Sequence, residues 1–434
     1  MPIDFHLSSA ESTTRASAAA FAQNDLKAAR AEYLKHEGQH KRFQAQRPVY
    51  EATVKNGLLK SQISPPLGGT GGSLVEAVIF AEECFSVEPS ASLTILTTGL
   101  GVTPFNLVQN PETERFLAPF LTGSGTPLAS FVLSEPGGVA NFLEKGAPGL
   151  QTTARLVDGG KYWELNGEKV WALNSAGWDF GGADLACVVC RDVTRPYAPH
   201  SDPKDAVMIL LVTRDDIDAS GPGAFQVLRH METVGLPSVS GPHIRYTNVR
   251  VPADNVLCPP GQGGQIAMAT FDSSGVLVAA MAVGLMRSAF DAALAFAKSD
   301  DRRGSVPLLE RQAFADLLSG IKMATEACRA LTWKAAHNLL NGPGDYDARR
   351  ELANSAKVYC SEAAVKAVTD AIKAVGITAY DSEQPFGDLL KHAMLLPIVD
   401  WGNVGGRMRQ LQQLMQSPTY DPWASTFGPT NTSE

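Results

Sequence analysis

The stretch PLASFVLSEPGG, residues 127–138, divides the chain. Ala129 to Leu133 is a short apolar run, and Ser-Glu-Pro-Gly-Gly closes it with turn chemistry. A short apolar run bounded by Gly and Pro reads as a strand. The same character persists to about residue 255, through GLQTTARLVDGGKYWELNGEKVWALNS, DLACVVCRD, AVMILLVTR and HIRYTNVRVPADNVL. Asn166-Gly167 signals a hairpin turn, with Trp171 in the returning strand.

On either side the pattern is helical. Upstream, SAESTTRASAAAFAQNDLKAARAEYLKHE and SLVEAVIFAEECFS place apolar residues at helical spacing. SASLTILTTGLGVTPFNLV is too apolar to lie on a surface and belongs inside a bundle. Downstream, three long helical patterns fill residues 273–299, 308–340 and 346–375, and a last helix is expected to start near Asp400. The division is a helical region 1–126, a β region 127–257 and a helical bundle with tail 258–434. Helices, then strands, then helices rule out a simple alternating α/β sheet. The fold class expected is mainly α with a central β-domain.

The composition narrows the function. Of 434 residues, 44% are apolar and 19% charged, a globular balance with material for more than one core. A net charge of −8 argues against a nucleic-acid partner. The run GVLVAAMAVGLM is too short to span a bilayer, and the N-terminus lacks a secretory pattern, so a cytoplasmic protein without a membrane partner is expected. Cys187 and Cys190 form a CxxC, but on a strand residues three apart point to opposite faces, which disfavours a shared metal. The eight histidines show no ligand spacing beyond one exposed-looking i, i+4 pair, and no metal site is expected.

Four segments could carry chemistry. SEPGG offers backbone amides and small residues to a flat ligand, though an ordinary turn looks the same. Trp171 could stack on a ring or sit in a core. KSDDRRGS, residues 298–305, with Arg311 and Gln312 beyond it, is a solvated loop or a phosphate grip. KAVGITAY, residues 373–380, has a glycine suited to a helix C-cap. PIVDWGNVGGRMRQ, residues 397–410, raises the sharpest question, because Asp400 could cap the last helix or act as a base.

Together these segments resemble the acyl-CoA dehydrogenase superfamily over nearly the whole chain. SEPGGVAN is similar to that family's TEPxxGSD-like turn, KVWALN to its KxWITN-like strand, and VDWGNVGGR to its YEGTSEIQR-like catalytic segment. The resemblance implies an N-terminal helical domain, a middle β-domain and a C-terminal four-helix bundle, with FAD between them and a homotetrameric assembly. It places flavin contacts at Val132, Leu133, Ser134, Ala140 and Asn141 on the turn, and at Trp171 and Leu173 after it. It adds Arg302 and Gln312 at the phosphates of a neighbouring subunit's flavin, Lys373, Gly376 and Ile377 from KAVGITAY, and Gly402.

The base then falls on Asp400 and its arginine on Arg407, seven residues on, a spacing that returns to the same face of a helix. Most members carry Glu at the base. Asp, with a serine at Ser274 in the first bundle helix, is similar to the branch that oxidises nitroalkanes. That branch implies removal of the substrate's α-proton by Asp400, transfer of electrons through FAD to dioxygen, and release of an aldehyde or ketone with nitrite and hydrogen peroxide. An acyl-CoA dehydrogenase is the alternative. Leu133 and Leu173 depart from the pattern; a leucine side chain cannot give the flavin the hydrogen bond that the family's Thr or Ser gives at position 173.

Overall fold

The computed structural model describes residues 6–194 and 202–430. Helices occupy the first part. α1 (Ser9–Phe21) starts at a capping box in which Ser8 and Glu11 satisfy each other's backbone amides. Ser73 and Glu76 do the same for α2 (Leu74–Phe85), and Glu88 caps α3 (Pro89–Val108). α3 is buried on nearly every side, as its even apolar character requires.

Among the described residues, eight strands follow: β1 (Ala129–Val132), β2 (Thr153–Val157), β3 (Tyr162–Lys169), β4 (Leu185–Asp192), β5 (Val207–Thr213), β6 (Phe225–Arg229), β7 (His243–Pro252) and β8 (Val256–Cys258). They form one sheet in the order β6-β7-β3-β2-β4-β5-β8. β1 lies parallel to the first half of β4, and β2 meets only the last two residues of β4, also parallel. β1 therefore ends in the middle of the sheet, and the turn after it emerges from an interior position.

Two sequence expectations fail here. The β2–β3 hairpin turns at Asp158-Gly159-Gly160, all with positive φ, and not at Asn166-Gly167. Asn166-Gly167 lies inside β3, at a bulge where the register with β7 shifts. Gly167 has φ +144, and a side chain there would strike Thr152. Trp171 is also not in a strand: β3 stops at Lys169, and Trp171 and Asn174 take left-handed conformations in the loop that follows.

The bundle consists of α4 (Gly263–Ser299), α5 (Gln312–Asn341) and α6 (Tyr346–Val375), with α7 (Phe386–Ala393) and α8 (Met408–Met415) sharing the fourth position. α3 and α4 are apolar and long enough to cross a membrane by composition, but the apolar window of each is two-thirds buried inside the protein.

Three cores result. One fills the bundle and includes α2; one joins the N-terminal helices to a sheet face and the first turns of α4; one lies within the sheet domain. Cys187 belongs to the second core and Cys190 to the third, so the two do point to opposite faces. All six cysteines are free and buried.

Candidate active site

Asp400 sits where two of these cores meet. Val399 packs against the bundle core and Trp401 against the core around α3 and the start of α4. The residue between them is directed into the seam. The backbone there is unusual: Asp400, Trp401 and Gly402 have φ of +55, +74 and +55. Left-handed geometry is costly for residues with a Cβ, so surrounding contacts must impose it.

Hydrogen bonds to both the carboxylate and the backbone supply that constraint. Ser274 donates its hydroxyl to Asp400 Oδ1 at 2.6 Å. Arg407 donates Nη2 to Asp400 Oδ2 at 2.8 Å and Nε to the Asp400 carbonyl at 3.1 Å. Each carboxylate oxygen is thus held by one side chain. Arg407 is itself 0% exposed, and all five of its N–H groups have acceptors. The remaining three are Asp272 Oδ1 at 3.1 Å, Asn354 Oδ1 at 2.7 Å and the Phe271 carbonyl at 2.6 Å. Asp272 also accepts from the Tyr346 hydroxyl at 3.0 Å; burial pushes its carboxyl up, against the pull of Arg407.

The local sequence explains the fit. Gly275 lies one residue after Ser274, and a Cβ there would come within 3.1 Å of Arg407 Nη2. Gly406 is required by Trp401: an added Cβ would fall 1.4 Å from the indole Cδ1. Gly405 faces Ala140 at ordinary contact distance. Gly275 and Gly406 make room for the protein's own side chains.

The cap reading of Asp400 is also corrected. The last bundle helix, α8, starts at Met408, after a π-helical turn Asn403–Arg407 whose N-terminal flank is Gly402. Asp400 lies outside both, and no side chain caps the turn. Asp400 and Arg407 meet because the chain folds back over the π-turn, not because seven residues span two turns of one helix.

Two of the segments singled out in the sequence, the turn after β1 and the loop after β3, come together next to this pair. The Val170 amide donates to the Ser134 carbonyl at 2.9 Å, and Ser130 Oγ donates to the Leu173 carbonyl at 2.7 Å, which lays the 170–173 loop along the turn after β1. Farther along that turn, Phe142 meets Trp401 edge-on at 5.4 Å, and Arg409 bonds Asn141 and Glu144. Val132, at the end of β1, and Leu133, Ser134, Ala140, Asn141, Trp171 and Leu173, on the two loops, therefore adjoin, and the turn's far part meets the Asp400 segment.

A buried pair braces the turn from beneath. Lys169 Nζ donates to the Leu133 carbonyl (2.9 Å), the Val189 carbonyl (2.7 Å) and Glu135 Oε1 (3.0 Å). Glu135 also accepts from the Gln151 and Thr152 amides. Burial works against its charge, but Lys169 and the two amides hold its carboxyl below the usual range.

These loops suit a flat, planar ring system. Trp171 has a left-handed backbone and leaves its indole 56% exposed. Gly137 and Gly138 face open space, and the Ser175 hydroxyl is buried without a protein partner. Leu133 and Leu173 offer no side-chain donor, so hydrogen bonds to a ring from these positions come from main chain.

Arg302, Gln312, Lys373, Gly376 and Ile377 lie elsewhere. Arg302 bonds the Val375 carbonyl and stacks over Phe296, Lys373 pairs with Asp370, and Gln312 is exposed at the start of α5. Val375 is 18 residues beyond Lys357 on α6, roughly 27 Å at 1.5 Å per residue. These residues do not line the Asp400 seam of the same chain. Among the described residues no cluster of three or more His, Cys, Asp or Glu could hold a metal.

The sequence reading missed Asp272, Asn354, Lys357 and Asn403. Asn354, Lys357 and Ser361 sit at i, i+3 and i+7 on α6, all buried. A polar stripe recurring at helical spacing within an alanine-rich helix was the available signal.

Comparison with known proteins gives a consistent picture. Residues 8–124 match the family model for the acyl-CoA dehydrogenase N-terminal domain, and residues 261–412 the model for the C-terminal domain. Nitroalkane oxidase from Podospora anserina is 65% identical over 99% of this chain and 99% of that protein. Its solved structure superposes with a TM-score of 0.96, covering 98% of this chain and all of the other. Nitroalkane oxidase from Fusarium oxysporum is 46% identical over 98% of each. A solved nitroalkane oxidase active-site mutant crystallized with 1-nitrooctane matches at 45% identity and a TM-score of 0.95, over 98% of this chain and 100% of that one.

Proposed function

We propose, from the premise that this chain belongs to the nitroalkane oxidases of the acyl-CoA dehydrogenase superfamily, that Asp400 is the base that takes the α-proton of a nitroalkane. The observation that carries this is the carboxylate held on both oxygens, by Ser274 and Arg407, in a seam between two cores.

A nitroalkane is acidic at the carbon bearing the nitro group, so a fixed carboxylate within reach of that carbon is sufficient as a base. Ser274 and Arg407 set the plane of the carboxylate, leaving the other lone pair of each oxygen for the substrate. Trp401, Phe142 and Phe271 form an aromatic wall beside it, with ring centroids 5.4 and 5.6 Å from Trp401, which suits an alkyl chain and excludes water. FAD, when bound, supplies the two-electron oxidation and passes the electrons to dioxygen. The loops at 132–141 and 170–173 would hold its ring. The balanced reaction takes nitroalkane, dioxygen and water to aldehyde or ketone, nitrite, a proton and hydrogen peroxide.

The exposed apolar side chains Ile377, Tyr380, Ile398 and Val404 support a homotetramer, in which Arg302 and Gln312 serve the flavin phosphates of another copy. A solution mass near four times 46.2 kDa is expected. The free, buried thiols support residence in the reducing cytoplasm.

The test is to mix the yellow holoenzyme with nitroethane in air and assay nitrite and peroxide, which should appear in equal amounts. The same assay with Asp400→Asn should show flavin reduction slowed by about 10²-fold or more, the usual worth of a positioned base. Loss of flavin colour with an acyl-CoA, and no nitrite from any nitroalkane, would overturn the proposal.

A further inference from the structure

The stripe on α6 serves the base segment from below. Asn354 holds Arg407. Lys357 donates to Asn403 Oδ1 at 2.6 Å and reaches the Pro397 carbonyl at 3.5 Å. Asn403 Nδ2 donates in turn to Ser361 Oγ at 3.0 Å and Glu362 Oε1 at 2.8 Å. The Asn403 amide closes the loop onto the Pro397 carbonyl at 2.7 Å. Lys357 thus touches both ends of the segment 397–403, and Asp400 is its central residue.

The choice of lysine needs a reason. Lys357 is 0% exposed, and both oxygens it donates to are neutral amide oxygens. A neutral donor could make the same bonds without the several kcal/mol that burying an ammonium costs. The compensation comes from carboxylates within electrostatic reach: Asp400 and Glu362 favour the charged form, while burial and Arg407 oppose it and pull the ammonium down to about 8.

We infer that Lys357 is a positioning residue for proton abstraction: it ties Pro397 to Asn403 beneath Asp400 and adds a second buried positive charge beside Arg407. The inference rests on the reading of Asp400 as the base. Asp400 and Asp272 both bond the Arg407 guanidinium, and Lys357 adds a second buried positive charge within electrostatic reach of Asp400.

The substrate offers a discriminating assay. Neutral nitroethane needs a base, whereas its preformed anion, ethyl nitronate, does not. Lys357→Met holoenzyme is mixed anaerobically with each, beside the unaltered enzyme, and loss of flavin absorbance is timed. Reduction by neutral nitroethane should slow by about 10²-fold, the scale of a misplacement near 1 Å, while reduction by the anion changes by less than ~3-fold. Equal slowing with both forms marks general damage and overturns the inference, as does no slowing with either. If the methionine variant does not fold with its flavin, Asn403→Ala, which cuts the tie and keeps the ammonium, should show the same asymmetry; its absence overturns the inference. Unaltered enzyme that responds to the anion but not to neutral nitroethane would instead sink the assignment of Asp400 as base.

Discussion

Arg407→Lys is the perturbation whose cost the structure defines most closely. Arginine spends five N–H groups on five acceptors: two on Asp400, one each on Asp272, Asn354 and Phe271. An ammonium has three, so at least two acceptors lose their donor. A hydrogen bond involving a charged group is worth about 1.5–3 kcal/mol, which puts the loss at roughly 3–6 kcal/mol, divided between folding and catalysis. Charge is kept, so the effect reports geometry. Asp400 Oδ2 stands to lose most, because a single ammonium cannot hold that oxygen and the Asp400 carbonyl together with Asp272. We expect kcat/KM for nitroethane, measured as nitrite release, to fall by about 10²-fold, equivalent to ~2.7 kcal/mol of transition-state stabilisation. Thermal unfolding monitored by flavin release should shift down by a few degrees. A variant that keeps kcat/KM within ~3-fold would refute the argument, since it would mean that five-fold anchoring of the guanidinium does not orient the base.

Three further outcomes are expected. Gly406→Ala places a methyl group where the Trp401 indole lies, with the Trp401 carbonyl only 2.2 Å away, so nitroethane turnover should be lost even in protein that retains flavin. Lys169→Met leaves Glu135 buried without its cation; breaking such a pair costs about 3–5 kcal/mol, and the FAD-to-protein absorbance ratio should fall because the turn after β1 loses its brace. His392 is buried, accepts the Leu236 amide through Nδ1 at 3.1 Å, and burial drives its pKa from 6.5 to about 4. Between those values the unfolded chain binds a proton that the folded one refuses. Stability should therefore fall as pH drops from 6.5 towards 4, by roughly 3 kcal/mol, and denaturant titrations of His392→Gln should show a flatter slope in that window.

Much of this architecture is legible in the residues. The change of period at 127–138 and the return of helical spacing after residue 263 mark the order of helices, sheet and bundle, because burial imposes those periods wherever a face is covered. Motif order points to Asp400, Arg407 and Ser274, and the last two both bond the aspartate. The failures share a cause. Asn166-Gly167 reads as a hairpin because positive φ is its common use, but a bulge demands the same freedom. Asp400 reads as a cap because short-range patterns favour one, while left-handed backbone at a non-glycine residue is imposed by tertiary contacts no local pattern carries. The polar stripe Asn354, Lys357, Ser361 gives no local signal of its burial, because a helix tolerates such residues anywhere on a solvated face; only packing shows that this face is inside.

The run of left-handed residues at Asp400, Trp401 and Gly402 sets how this site would age and evolve. Left-handed non-glycine residues store about 1–3 kcal/mol each, and the ties to Arg407, Ser274 and the α6 stripe hold that energy in place. Cutting one tie releases strain at the moment it loses a bond, so the two effects partly cancel in the melting temperature and add in the rate. Damage here would show weakly in a screen for unfolding and strongly in turnover. Stabilising substitutions that let the segment relax should be the ones that silence the enzyme.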